Sequence, residues 1–240
     1  MKKLLLIVFA FIATIAEAQA PKGTFSVKPM AGVNISTFGS PAIEDIYHSK
    51  VRFTVGAEVE YGINEWLGMS LGMMYSQQGA KIDGSLNLLQ QLETGDYLYS
   101  LSKMDGYLHA DYLNFPLTAR VYIPALRGLS INSGIQVGVL VNDRMTMDLE
   151  SVSKRGSGNL SPDTWTMTPN DYVATYTQVS MNDVCKSVDF GIPLGLSYEY
   201  KNVSLDIHYY FGLTRFDKTE DPDTAKNRYL SITLGYRFHL

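Results

Sequence analysis

Apolar side chains recur at every second position in eight stretches of this chain. FSVKPMAGVNIS sets Phe25, Val27, Ala31, Val33 and Ile35 on one face, and VRFTVGAEVEYG does the same with Val51, Phe53, Val55, Ala57, Val59 and Tyr61. LGMSLGMMYS, YLNFPLTARVYI, LSINSGIQVGVLV, VDFGIPLGLSYEY, VSLDIHYYFGLT and the closing SITLGYRFHL repeat the pattern. Period two marks strands whose two faces meet different surroundings. Each run has about 10–12 residues. That matches the roughly 9–11 residues a tilted strand needs to cross a bilayer and exceeds the usual soluble strand of about 5–6.

The opposite parity decides which face looks where. It carries Gly32, Gly56, Gly68, Gly72, Gly134, Gly138, Gly191, Gly195, Gly212 and Gly235, together with Lys28, Arg52, Glu58, Glu60, Arg120, Asp189, Glu199, Asp206, His208, Arg237 and His239. Glycine weakens a strand, so its restriction to one face needs a cause. The crowded, curved interior of a small closed barrel supplies one. A soluble ligand-binding barrel would invert the arrangement, with apolar side chains inside. Large residues alternating with glycine and charge fit a polar lumen and a lipid-facing exterior.

The connections agree. INEW, PALRG and KN are short, while the intervening connections run to roughly 14, 30, 40 and 13 residues, the alternation of short periplasmic turns and long outer loops. Aromatic girdles are expected from Phe25, Tyr61, Trp66, Tyr198, Tyr200 and Phe238 on the periplasmic side, and from Phe53, Tyr75, Phe115, Tyr209, Phe211 and Tyr229 on the outer side. The expectation is an all-β, eight-stranded antiparallel up-and-down transmembrane barrel. Within its loops, SLNLLQQLETG (85–95) has a serine cap, leucines at helical spacing and a closing glycine, which predicts a short helix over the mouth.

The first 18 residues have the basic, apolar and small-residue order of a cleaved secretory signal, and their apolar run of about 12 residues falls short of the roughly 20 of a spanning helix. Residues 19–240 then form one barrel domain. The single cysteine, Cys185, lies far from the cleavage site and excludes both a lipid anchor there and an intramolecular disulfide. The net charge of −4 argues against nucleic acid as a partner, which requires a concentrated basic face.

The opening KPMAGVNISTF, FTVGAEVEYGINEWLGMSLGMMYSQQGAK, DYLNFPLTARVYI, DFGIPLGLSYEY, HYYFGLTRFDK and YLSITLGYRFHL resemble the PorT-like, porin-family outer-membrane β-barrel proteins of the Bacteroidetes. The likeness spans about residues 23–240 and rests on strand texture. It implies residence in the outer membrane among its lipids and, from some relatives, a part in protein secretion across the envelope. It also implies that the terminal Tyr236, Phe238 and Leu240 are read by the barrel-assembly machinery, with Leu240 where a phenylalanine is usual. A chain end is normally where order fades; a last strand this regular is expected to close the sheet so that no edge remains in lipid.

The inward charges Lys28, Glu58, Glu60, Arg120, Glu199, Asp206, Arg237 and His239 fall in the periplasmic half. An eight-stranded barrel is filled by its side chains, so these charges are expected to form a paired plug; a gated narrow pore or proton path is the alternative, and with it a function as a narrow passive pore for small solutes. A lipid-modifying enzyme is a second alternative. His109 and Ser133 share outward parity, but with Ile123 opposite Leu129 they stand about 33 Å apart where about 3 Å is needed. That dyad fails; loop serines such as Ser102 stay open. No catalytic residue, cofactor or metal site is assigned. The acidic FDKTEDPDTAKN lacks the spacing and turn glycine of an EF-hand loop, and its Asp223-Thr224-Ala225 resembles a short O-glycosylation acceptor motif. The long segment 148–183 offers Trp165, Tyr172 and Tyr176 as candidate anchors for a partner. The sequence thus points to a non-catalytic outer-membrane protein that meets partners, envelope or secretion-system proteins among them, through its outer loops.

Overall fold

The computed structural model describes residues 22–39, 47–91, 97–156, 173–215 and 226–240. The expected signal segment 1–18, Trp165, Tyr172 and the Asp223-Thr224-Ala225 motif lie outside these. The strands are β1 (Phe25–Gly39), β2 (Tyr47–Asn64), β3 (Leu67–Gln91), β4 (Tyr97–Tyr122), β5 (Leu129–Gly156), β6 (Val173–Met181), β7 (Val188–Tyr200), β8 (Val203–Arg215), β9 (Lys226–Tyr236) and β10 (Phe238–His239). All pairings are antiparallel, in the order β1-β2-β3-β4-β5-β7-β8-β9. β9 and β10 form one stave that returns to β1, with Gly32 opposite Thr233 and Val27 opposite Phe238. Eight staves therefore make a closed ring, as the alternation predicts.

Local chemistry sets the short turns. Asn64 Oδ1 accepts hydrogen bonds from the backbone N–H groups of Trp66 (2.9 Å) and Leu67 (2.8 Å), an Asx turn between β2 and β3. Lys201 and Asn202 both take positive φ, 46° and 70°, as a two-residue hairpin loop with the twist of its strands requires.

Lipid-out, polar-in holds throughout the ring. Leu71, Ile135 and Leu234 are about 60% exposed (58%, 60% and 61%), while Lys28, Glu60 and Asp206 are fully buried. An inverted soluble barrel would show the reverse. Tyr229 departs from the expected girdle. Its parity on β9 turns it inward, where it is buried and stacks on Tyr210 at 4.8 Å between ring centroids.

Above the apolar belt the chain differs from the reading of short strands joined by loops. β3, β4 and β5 run for 25, 26 and 28 residues, and β6 adds to β5 alone among the described strands. The described part of the stretch predicted as a helix is strand: Ser85 through Gln91 pair with Lys103 through Tyr97. A short isolated helix must bear its nucleation cost alone, whereas extension of an existing ladder satisfies each backbone group as it forms. The inner face of this extension carries its own core. Ala80, Ile82, Leu108, Ala110 and Tyr112 pack around Cys185. Asp143 holds the following segment there by accepting the N–H groups of Asp183 (2.9 Å) and Cys185 (2.7 Å).

Candidate functional site

Alternation sends Lys28 of β1, Glu58 and Glu60 of β2, Arg120 of β4, Glu199 of β7, Asp206 of β8 and Arg237, between β9 and β10, into the same end of the lumen. Their heads meet. Arg120 lies 2.7 Å from Glu58, 2.9 Å from Glu60 and 3.6 Å from Asp206. Lys28 bridges Glu58 (3.0 Å) and Asp206 (2.9 Å), and Arg237 bridges Glu60 (3.0 Å) and Glu199 (2.7 Å). Hydroxyls join the shell: Tyr122 donates to Glu60, Ser204 to Asp206, and Ser26 accepts from Arg237. Charges this deep persist only when paired and hydrogen-bonded. Gly68 and Gly235 leave the space the network occupies. A Cβ on Gly68 would sit 2.5 Å from Glu60 Oε1, and one on Gly235 would sit 3.0 Å from Lys28 Cγ.

His239, the eighth residue of the expected network, stands exposed and paired in register with Ser26. β8 begins at Val203, opposite Tyr236, so His239 has a paired neighbour on its β1 side and none on β8, and inward parity there no longer means burial.

Above the charges lies a cavity of about 60 Å³, lined in part by Asn34, Ser76, Gln136 and His208, with room for a few water molecules. A layer of tyrosine and amide side chains around Asp189 then spans the lumen. Asn114 and Gln136 donate to the Tyr229 hydroxyl (3.2 and 2.8 Å), while Tyr210 and Asn227 donate to Asp189 (3.0 Å each). The apolar cluster around Cys185 stands over it. Parity had marked Asp189 and His208 as inward, but an uncharged tyrosine or asparagine leaves no such mark on its own. Together the layers fill the lumen, and in a planar bilayer the folded protein is expected to show no unitary conductance. Steady single-channel steps from purified protein would overturn this.

Of the candidate chemistry on the wall, Ser133 pairs with Ala119 and His109 with Arg144, so the ten-residue separation stands. Ser102 belongs to β4 and hydrogen-bonds Ser151 at 2.9 Å. Tyr176 is 67% exposed on β6. No group of three or more potential metal-ligating side chains occurs among the described residues.

A closed eight-stave ring with an apolar exterior and a salt-bridged interior defines an outer-membrane β-barrel protein. The chain belongs to the outer membrane protein beta-barrel domain family, which matches residues 17–218, and its place is the bacterial outer membrane. No curated protein matches it. Among solved structures it is similar to Ail, the attachment invasion locus protein of Yersinia pestis, at 13% identity and a TM-score of 0.41, over 90% of this chain and 99% of that one. The Neisserial surface protein A is similar at 13% identity and a TM-score of 0.33, over 89% and 97%. The N-terminal barrel domain of Pseudomonas aeruginosa OprF is similar at 10% identity and a TM-score of 0.31, over 90% and 98%.

Proposed function

We propose that this barrel is a non-catalytic, non-conducting outer-membrane component whose outer sheet extension holds a protein partner, and that the partner belongs to an envelope assembly of the secretion type. One observation carries the reading. β6 is hydrogen-bonded to β5, and among the described residues no strand takes up the backbone donors and acceptors of its far edge. Natural edge strands are usually blunted by lysine or proline. VATYTQVSM has neither, which suits it to accept an added strand. Tyr236, Phe238 and Leu240, at 45%, 52% and 79% exposure on the lipid-facing side, support recognition of the closing stave by the assembly machinery.

A photo-crosslinking residue at Tyr176 in intact cells is expected to trap a discrete protein adduct. Thr175→Lys with Thr177→Lys, which charges the edge, is expected to abolish that adduct while the barrel keeps its heat-shifted gel mobility. An adduct unaffected by the charged edge, or none at all, removes β6 as the docking edge.

A further inference from the structure

Two of the ladders are irregular at the same height, just above the apolar belt. β2 shifts register between Ser49 and Thr54, and the β4–β5 pairing shifts between Asp111 and Tyr112. Bulges re-aim side chains, and here they correct the inward assignment of Arg52. Its guanidinium lies against His109 and 3.5 Å from Asp111, on the outer wall where Asp111 also accepts the Tyr75 hydroxyl. Lys50 Nζ sits 3.3 Å from His109 Nε2 and 4.1 Å above the exposed Tyr107 ring. Arg144, exposed, pairs in register with His109 from the other side.

Three cationic side chains, Lys50, Arg52 and Arg144, thus gather around His109, with the Asp111 carboxylate against Arg52. An open cleft of about 350 Å³ runs between Arg52, His109, Asp111, Asn142, Arg144 and Asn182, within the roughly 300–1,000 Å³ of small-ligand sites. The excess is confined to this height. Further up the same face, Asp83, Asp105 and Asp148 stand in one row. Partial burial, then the Lys50 and Arg52 charges, hold the His109 imidazole below its ordinary range.

We propose that this cleft binds the phosphates of a phosphorylated glycolipid in the outer leaflet. Arginine forks match phosphate oxygens in pairs, and cations at a membrane surface add to each other's attraction. Position selects a lipid over a dissolved anion. Val51, between Lys50 and Arg52, is 62% exposed, and Val141, beside Asn142, is 60% exposed. A head group in the cleft therefore has its acyl chains along the apolar wall, where a free anion gains nothing.

Native mass spectrometry of the detergent-solubilised, folded protein with added diphosphoryl lipid A tests this. Arg144→Gln is expected to weaken binding about fivefold and Lys50→Gln with Arg144→Gln about 25-fold. Lipid A stripped of its phosphates is expected to bind no better than that double variant. Inorganic phosphate at equal concentration is expected not to compete. Heat-shifted mobility confirms that each variant is folded, and Arg144, exposed to solvent, is the substitution the fold tolerates best. Unchanged affinity in both variants, equal binding of phosphate-free lipid, or displacement by inorganic phosphate would each overturn the proposal, the last by identifying a soluble-anion site.

Discussion

Replacing Arg120 with methionine is expected to lower the unfolding free energy of the detergent-refolded barrel by about 3–5 kcal/mol. Methionine keeps much of the stem's volume and removes only the charge. The cost arises in what is left behind: Glu58, Glu60 and Asp206, which Arg120 contacts within 3.6 Å, lose their shared cation. Lys28 and Arg237 remain for them, but three cations facing Glu58, Glu60, Glu199 and Asp206 become two. Neutralising one of the orphaned carboxylates should return part of the loss. In a double-mutant cycle, Arg120→Met with Glu58→Gln is expected to be more stable than the two single effects predict. Lys81→Met, whose ion pair with Asp83 lies on the outer face of the extension, should stay within about 0.5 kcal/mol of wild type. Urea midpoints that place Arg120→Met with Lys81→Met would mean that the lumen charges are solvated and no plug exists.

Gly32→Val is expected to prevent closure. Gly32 faces Thr233 across the seam where β1 meets β9. A Cβ there would lie 2.6 Å from Thr233 Cα and 2.8 Å from the Ile232 carbonyl carbon. Both are backbone atoms of the neighbouring stave and cannot swing aside as a side chain can. Overpacking usually costs about 1–3 kcal/mol and more when backbone must move, and an open seam also strands backbone groups in lipid. The compact band on unboiled gels should therefore disappear, or its urea midpoint should fall sharply. Ala31→Val, one residue away on the exposed lipid-facing parity, should keep both. A Gly32→Val protein with the wild-type band and midpoint would show that the seam tolerates side chains on its inner face.

Several features of this molecule were legible residue by residue. Alternation alone separates Leu71 and Ile135, in lipid, from Lys28 and Glu60, in the lumen, because successive side chains of a strand face opposite ways. Of the eight inward charges at the periplasmic end, seven meet in one network. The helix expected over 85–95 was misread for a different reason. Above the membrane no solvent forces one face to be apolar, so alternation fades and leucines at helical spacing outweigh a weak strand pattern. The neighbouring β4 ladder, which no local window contains, settles the matter.

Arg52 and His239 mark the same boundary. Parity counting assumes an unbroken pleat and walls on every side. A bulge in β2 turns Arg52 from the lumen to the outer wall, and the end of the walls leaves His239 in the open. What this sequence determines by itself is the two-faced strand, the lipid-out orientation, the ring of eight and the charges that belong inside, all set by period two and hydropathy within about a dozen residues. What only the tertiary structure decides is the tall β3–β6 extension, the layers that fill the lumen and the cationic cleft at its rim. Each depends on register between strands far apart in sequence, and register is the sum of many weak pairings that no single segment carries.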